Sequence, residues 1–228
     1  MREDGIGRVL VASLHQSIAD TMPMRLGFYE NWLNEERLRD GTIGLAPIYA
    51  VLSFLRQEGP AYHTVTRLAG EYAAEWTVDA MPRFRRSAVR LAPPWLRARL
   101  LTRVMNRLVR ATYAGSRAVG RVRRGTTRID VRVSIFCTVR ERVPYRLCGY
   151  YAAAYARLLS LFDCPAEVEV VSCRGAGEGS CALTAVHWRT SGLSPDRGLH
   201  LSPSATDDEA TSGVHLRDVA DVDEVTVR

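Results

Sequence analysis

Five cysteines, Cys137, Cys148, Cys164, Cys173 and Cys181, lie in the C-terminal half of this 228-residue chain. An odd number of thiols argues against a disulfide framework and favours metal binding or free thiols. Cys173 and Cys181 stand on the two arms of a predicted hairpin, with Gly175, Gly177 and Gly179 between them. Glycine accepts positive φ without steric cost, so this turn can fold back tightly and bring the two sulfurs together. Cys148 opens the helix predicted just before the hairpin. Three sulfurs can therefore converge where a helix end meets a hairpin. Thiolates are preferred ligands of zinc, and a metal at such a place clips together elements distant in sequence. The spacing is not that of a CxxC pair, so buried free cysteines acting as small hydrophobes are the other reading. Cys164, in a turn before Pro165, and Cys137, at a strand end, read as bystanders.

A second group of residues could hold a small molecule. The N-terminal helices supply Tyr29, Trp32, Tyr49, Tyr62, His63, Tyr72 and Trp76. His63 facing an apolar cavity could hydrogen-bond a polar aromatic ligand, with Tyr72 and Trp76 as shape-setting walls. Aromatic packing between helices, with His63 on the surface, is the competing reading. The five histidines fall into no triad or metalloprotease spacing, and no Walker or dinucleotide fingerprint occurs. The glycine-rich turn precedes a strand, whereas a phosphate cradle needs a helix N-terminus. The expectation is a binding protein rather than an enzyme.

The elements that must position these residues follow from periodicity. Apolar residues at helical spacing mark 6–21, 61–81 and 95–113. Residues 45–56 read as an apolar helix broken at Gly59-Pro60, and 28–38, which mixes aromatics with acids and arginines, reads as a short helix ended by Asp40-Gly41. In 61–81, Val65, Leu68, Tyr72 and Trp76 share one stripe; in 95–113 the apolar face is built from Leu96, Leu100, Leu101, Val104, Met105 and Leu108. Pro93-Pro94 sets the start of the last helix, because proline is tolerated in a first turn. Residues 128–140 alternate Ile129, Val131, Val133 and Ile135 with polar neighbours and read as a half-buried strand, with Phe136 alone out of phase. A small-residue helix at 144–162 and strands at 167–172 and 180–188 follow. Helices first, then strand, helix and hairpin predict an α+β fold: an antiparallel sheet with a C-terminal Cys-bearing hairpin, covered by N-terminal helices. Residues 1–188 read as a single ligand-binding domain. Residues 189–228, rich in Ser, Thr, Asp and Gly, read as a disordered acidic tail, with 219–227 a candidate edge strand.

The helix beginning Gly149-Tyr150-Tyr151, a strand, and then the hairpin with Cys173, Arg174, Gly177 and Cys181 resemble the 4-vinyl-reductase domain family. The likeness covers about 128–188, roughly a quarter of the chain. That family takes its name from a bacteriochlorophyll-pathway protein and also occurs as the sensory module of phenol-responsive regulators. The resemblance implies a ligand-binding fold, often a homodimer, with a hydrophobic pocket formed by the upstream helices. It also implies a structural zinc held by three cysteines and a glutamate. Cys148, Cys173 and Cys181 take matching places, with one residue of slippage between the first two. The glutamate's place, three residues before the hairpin cysteine, is Val170 here; Glu169 is the nearest substitute, and strand alternation puts it on the face of Cys173. The His and Trp of the phenol sensors map onto no pair in this chain. The function implied is a binding or sensory module for a small hydrophobic or aromatic molecule. An enzyme or accessory protein of bacteriochlorophyll-type tetrapyrrole vinyl reduction is the alternative, but it needs an electron source for which no cofactor motif is present.

All 31 basic residues are arginines, and the net charge of +6 conceals an asymmetry. From Ser191 onward eight acids face three arginines, while the rest carries 28 arginines against 17 acids. Thirteen of those arginines, and no acid, fall between Arg83 and Arg124. Arg99, Arg103, Arg107 and Arg110 form a stripe along one predicted helix, suited to phosphates, an anionic membrane surface or the acidic tail. No recognition motif accompanies the charge, so a solvated face is expected and nucleic acid is not. No apolar run approaches the roughly 18 residues that span a bilayer, and the acidic start at Glu3-Asp4 is unlike a secretory signal, so the expected location is cytoplasmic.

Overall fold

The structure is a computed structural model that describes residues 6–33, 44–123, 125–138 and 142–187. The expected tail at 189–228, the strand within it and the end of the helix expected over 28–38 lie outside the described residues. Helix α1 is Arg8–Thr21, α2 Leu26–Glu30, α3 Leu45–Gln57, α4 Pro60–Asp79, α5 Arg83–Leu91 and α6 Pro94–Thr112. Strands β1 Arg117–Arg123 and β2 Thr126–Arg132 follow, then helix α7 Gly149–Ser160 and strands β3 Ala166–Ser172 and β4 Cys181–His187. The sheet is wholly antiparallel in the order β1-β2-β4-β3, so the α+β expectation holds. No helix among the described residues is long and apolar enough to cross a membrane.

Proline opens both long helices, Pro60 in α4 and Pro94 in α6, where its missing N–H costs nothing. Helix α1 buries Leu10, Leu14 and Ile18 together with Ser13 and Ser17, whose hydroxyls donate to the Leu10 and Leu14 carbonyls at 3.0 and 2.9 Å. Helices α4 and α7 cross closely over small residues. A Cβ on Gly70 would stand 2.2 Å from the Tyr150 carbonyl oxygen, and Ala69, Ala73 and Ala154 are fully buried. Helix α6 packs on β1 in the same way, with the Thr102 methyl filling the place a Gly120 side chain would need. The buried positions of β2 are Thr127, Ile129 and Val131, while Arg128 and Arg132 are exposed.

Three features depart from the sequence reading. The arginine-dense stretch after Pro82 carries no expected element but forms α5, and 117–123 is β1, a strand whose alternate arginines hide its apolar side. Half-buried Tyr72 and Trp76 are not on the buried stripe of α4, which instead runs through Tyr62, Val65, Ala69, Ala73 and Val78. The strand expected over 128–140 ends at Arg132. Val133 takes φ 55°, a left-handed conformation costly for a β-branched residue, and a 3-10 turn at Ile135–Cys137 follows. That turn puts the out-of-phase Phe136 fully inside the core, stacked on Tyr150 with centroids 4.8 Å apart.

Candidate metal centre

Four thiols converge from four separate places. Cys137 ends the 3-10 turn whose Ile135 and Phe136 are buried, so core packing fixes its position. Cys148 is the N-cap of α7, Cys173 follows the last residue of β3, and Cys181 is the first residue of β4. Register sets Cys181 opposite Val131, near the end of β2 from which the Cys137 segment departs. Cys148, Cys173 and Cys181 are buried and Cys137 half-buried. The sulfurs of Cys137 lie 3.1 Å from Cys148, 3.3 Å from Cys173 and 3.4 Å from Cys181, and Cys148 is 3.9 Å from Cys173. All four lie within 4.8 Å of one another. A tetrahedron of roughly 2.3 Å zinc–sulfur bonds has edges of about 3.8 Å, so the set is of the right size. The separations are far beyond the roughly 2.05 Å of a disulfide, and all five cysteines are free.

The surroundings hold the sulfurs in place. The hairpin turn tightens at Gly177, φ 90°, and the segment leading to α7 lies over it: the Val143 N–H donates to the Gly175 carbonyl at 3.0 Å. Leu147 occupies the space a Gly175 side chain would take. Two backbone N–H groups point at sulfur, from Leu147 to Cys173 at 3.2 Å and from Arg174 to Cys181 at 3.4 Å. Such second-layer donors orient thiolates and stabilise their charge. The Cys173 N–H is itself taken by the Glu178 carboxylate.

Ionisation in the cluster is divided. Hydrogen bonds from Cys137, Cys148 and Cys181, aided by the Leu147 N–H, push Cys173 far below the ordinary thiol range. Cys181 is lowered by Cys137, Cys148 and the Arg174 N–H. Cys148 is held up, first by its hydrogen bond to Cys137 and then by those to Cys173 and Cys181 and by burial. For Cys137 the bond with Cys148 acts downward, but those to Cys173 and Cys181 together with burial outweigh it. A divalent cation bound among the four sulfurs would take the place of the thiol protons. Four sulfurs could fill a tetrahedral set, the donor pattern that structural metal centres use.

Cys137 is therefore a member of the cluster and not a bystander. The break in alternation at Phe136 was the one sequence signal for it, since Phe136 already belongs to the 3-10 turn that follows the strand and ends at Cys137. Glu169 does not join: it is exposed on β3 and outside the four-residue group. The physical reason is a bulge between Val170 and Ser172, which pair with Leu183 and Ala182. The extra residue reverses the alternation, so Cys173 does not share the face of Glu169. Cys164 stands apart, its sulfur 3.8 Å from His187 Nδ1.

The three aromatic positions on α4 separate. Exposed His63 meets Tyr145 edge-on at 4.9 Å between ring centroids and lines an open cleft of about 660 Å³ between α4, α7 and the start of β3. Ala152, Ala153 and Ala156 form the cleft's apolar floor, and Arg67, Glu71, Arg157 and Ser160 supply polar groups. Tyr72 and Trp76 stack on each other at 5.8 Å and line neither this cleft nor a smaller one of about 260 Å³ beside Phe28 and Phe54. The Tyr72 hydroxyl donates to Asp20 at 2.6 Å. Against known proteins, no family model matches the chain, and no curated protein matches it significantly.

Proposed function

We propose that the chain is a small-molecule-binding or sensory module, its fold pinned by a structural zinc ion on Cys137, Cys148, Cys173 and Cys181. The observation that carries the zinc reading is the convergence of four thiols from the end of β2, the start of α7 and both arms of the β3–β4 hairpin. Zinc suits an all-thiolate tetrahedral set, and such a site contributes to folding outright. The resemblance to the 4-vinyl-reductase domain points toward the binding role. The cleft beside His63 is the candidate seat: its volume lies in the range that drug-sized ligands use, with an alanine floor for an apolar body and His63 and Ser160 for one polar group. A ligand seated there touches α4 and α7, and α7 begins at a proposed zinc ligand. Differential binding to two packings of these helices is how such a module signals.

The test is metal analysis with native mass spectrometry on gently purified full-length chain. One zinc per chain, with cobalt substitution giving the visible spectrum of a tetrahedral thiolate site, supports the centre; a metal-free protein of undiminished stability overturns it. A retained organic mass that His63→Ala or Ala153→Trp abolishes supports the cleft. Retention unaffected by both substitutions overturns it.

A further inference from the structure

We infer that the elbow between α5 and α6 is a docking surface for an anionic lipid bilayer. Arg83–Leu91 is helical, and Phe84 and Leu91, seven residues apart, share one face with Ser87 and Ala88 between them. That face is open: Phe84 is 70% exposed and Leu91 86%, and Trp95 in the first turn of α6 is 62% exposed. Arg83 and Arg90 flank the strip on one side and Arg85 on the other, all exposed. Apolar side chains that stand in water and are bordered by cations are the pattern of a helix lying in the headgroup region of a membrane. Tryptophan at such a place is characteristic of the membrane interface.

The corner is rigid. The Arg97 guanidinium donates to the carbonyls of Arg90 at 2.7 Å, Ala92 at 3.2 Å and Phe162 at 3.1 Å, locking the turn between the helices to the core. Arg86 donates to the Val78 and Asp79 carbonyls at 2.6 and 3.1 Å, so the start of α5 is tied to the end of α4. These two arginines serve the fold. The other arginines of the elbow and of α6 are exposed: Arg99, whose guanidinium lies 5.6 Å from the Trp95 ring, begins the stripe continued by Arg103, Arg107 and Arg110. No acidic residue occurs between Arg83 and Arg124, so nothing on this stretch opposes a negative surface. Basic residues near an anionic leaflet are each drawn to its surface, and the attraction falls off within a Debye length. Duplex nucleic acid would use the arginines but has no place for Leu91 or Phe84. The apolar strip decides for the bilayer.

The experiment is sedimentation of the full chain with vesicles of phosphatidylglycerol and phosphatidylcholine in equal parts, and with phosphatidylcholine alone. Selective binding to the anionic vesicles is expected, weakened at least tenfold in a Phe84→Ser/Leu91→Ser/Trp95→Ser variant and separately in an Arg99→Gln/Arg103→Gln/Arg107→Gln variant. These side chains are exposed, so an unchanged thermal midpoint shows that folding is intact. Absence of binding to the anionic vesicles at low salt overturns the proposal. So does binding that the apolar triple variant leaves unchanged, which is polycation adsorption, as duplex DNA would show equally. A variant that loses self-association instead of vesicle binding also overturns it and makes the elbow a contact between copies of this chain.

Discussion

At the residue scale, the four sulfurs differ in how they are held but not in consequence. Cys137 is placed by the buried Ile135 and Phe136 beside it, and Cys173 and Cys181 by backbone N–H donors. Removing any one leaves three thiols that cannot close a tetrahedral set. Cys137→Ser is expected to reduce bound zinc and to lower stability by about 3 kcal/mol or more, since loss of a metal is among the large single-residue effects. For a chain of this size that moves the thermal midpoint down by roughly 6–12 °C. Cys164→Ser is expected to leave metal content and midpoint unchanged, because its sulfur contacts His187 and not the cluster. Calorimetry and metal analysis on the two variants give opposite results if the assignment is right. His187 gives a separate pH signature. Burial holds its pKa below the ordinary value, and its Nε2 pairs with Thr127 Oγ1 at 2.8 Å. The unfolded chain takes up that proton before the folded one does, so stability falls as pH drops below about 6.5 toward the native pKa. His187→Gln removes this part of the acid sensitivity. Urea midpoints of both proteins across that window check it, since the thiolates contribute equally to each.

At the element scale, two backbone positions carry more than their side chains suggest. Gly70 lets α4 and α7 approach until a Cβ would sit 2.2 Å from one backbone oxygen and 3.1 Å from the Ala154 nitrogen. Neither atom belongs to a flexible side chain, so Gly70→Ala must separate the helices and is expected to cost about 2–3 kcal/mol. Gly27→Ala in α2 meets nothing within 4 Å and serves as the control, neutral or slightly stabilising by equilibrium unfolding. Val133 is the reverse case. Its φ of 55° is strained for a β-branched residue, and the Ser116 hydroxyl holds the Val133 carbonyl at 2.6 Å. Asn tolerates this conformation, so Val133→Asn is expected to stabilise the fold by about 1 kcal/mol. A higher urea midpoint with unchanged zinc content is the confirming result; a lower midpoint shows the strain to be compensated by contacts of the valine.

At the scale of the whole molecule, the cluster joins what the chain order separates. The sheet order places β2 beside β4, the segment after β2 supplies Cys137, and α7 begins at Cys148 before the chain returns through β3. An ion held there would fasten a helix to both hairpins of the sheet. Chelation is therefore expected to lower the stability of the α7–hairpin region more than that of α1. Hydrogen exchange with and without a strong zinc chelator reads this directly: amides of 147–160 and 173–183 lose protection first, and a uniform loss argues that the cluster is not a local staple.

The amino-acid sequence by itself determined the class of fold and most of the centre. Helical periodicity marks α1, α3, α4 and α6 because a helix buried on one side must repeat its apolar residues every three or four positions. The glycines between Cys173 and Cys181 announce a tight return, and that pair with Cys148 points to a thiolate site. What only the tertiary structure decided depends on long-range placement. Cys137 joins because the chain leaves β2 at Val133, and Glu169 does not because one bulge in β3 reverses the faces. The first leaves only the out-of-phase Phe136 as a trace and the second none, since one is a local change of chain direction and the other a single-residue shift in the pairing of β3 with β4. β1 and α5 were hidden for a related reason: most of their arginines are exposed, α5 buries Val89 alone, and the half-buried side of β1 gains meaning only from the helix α6 packed on Gly120.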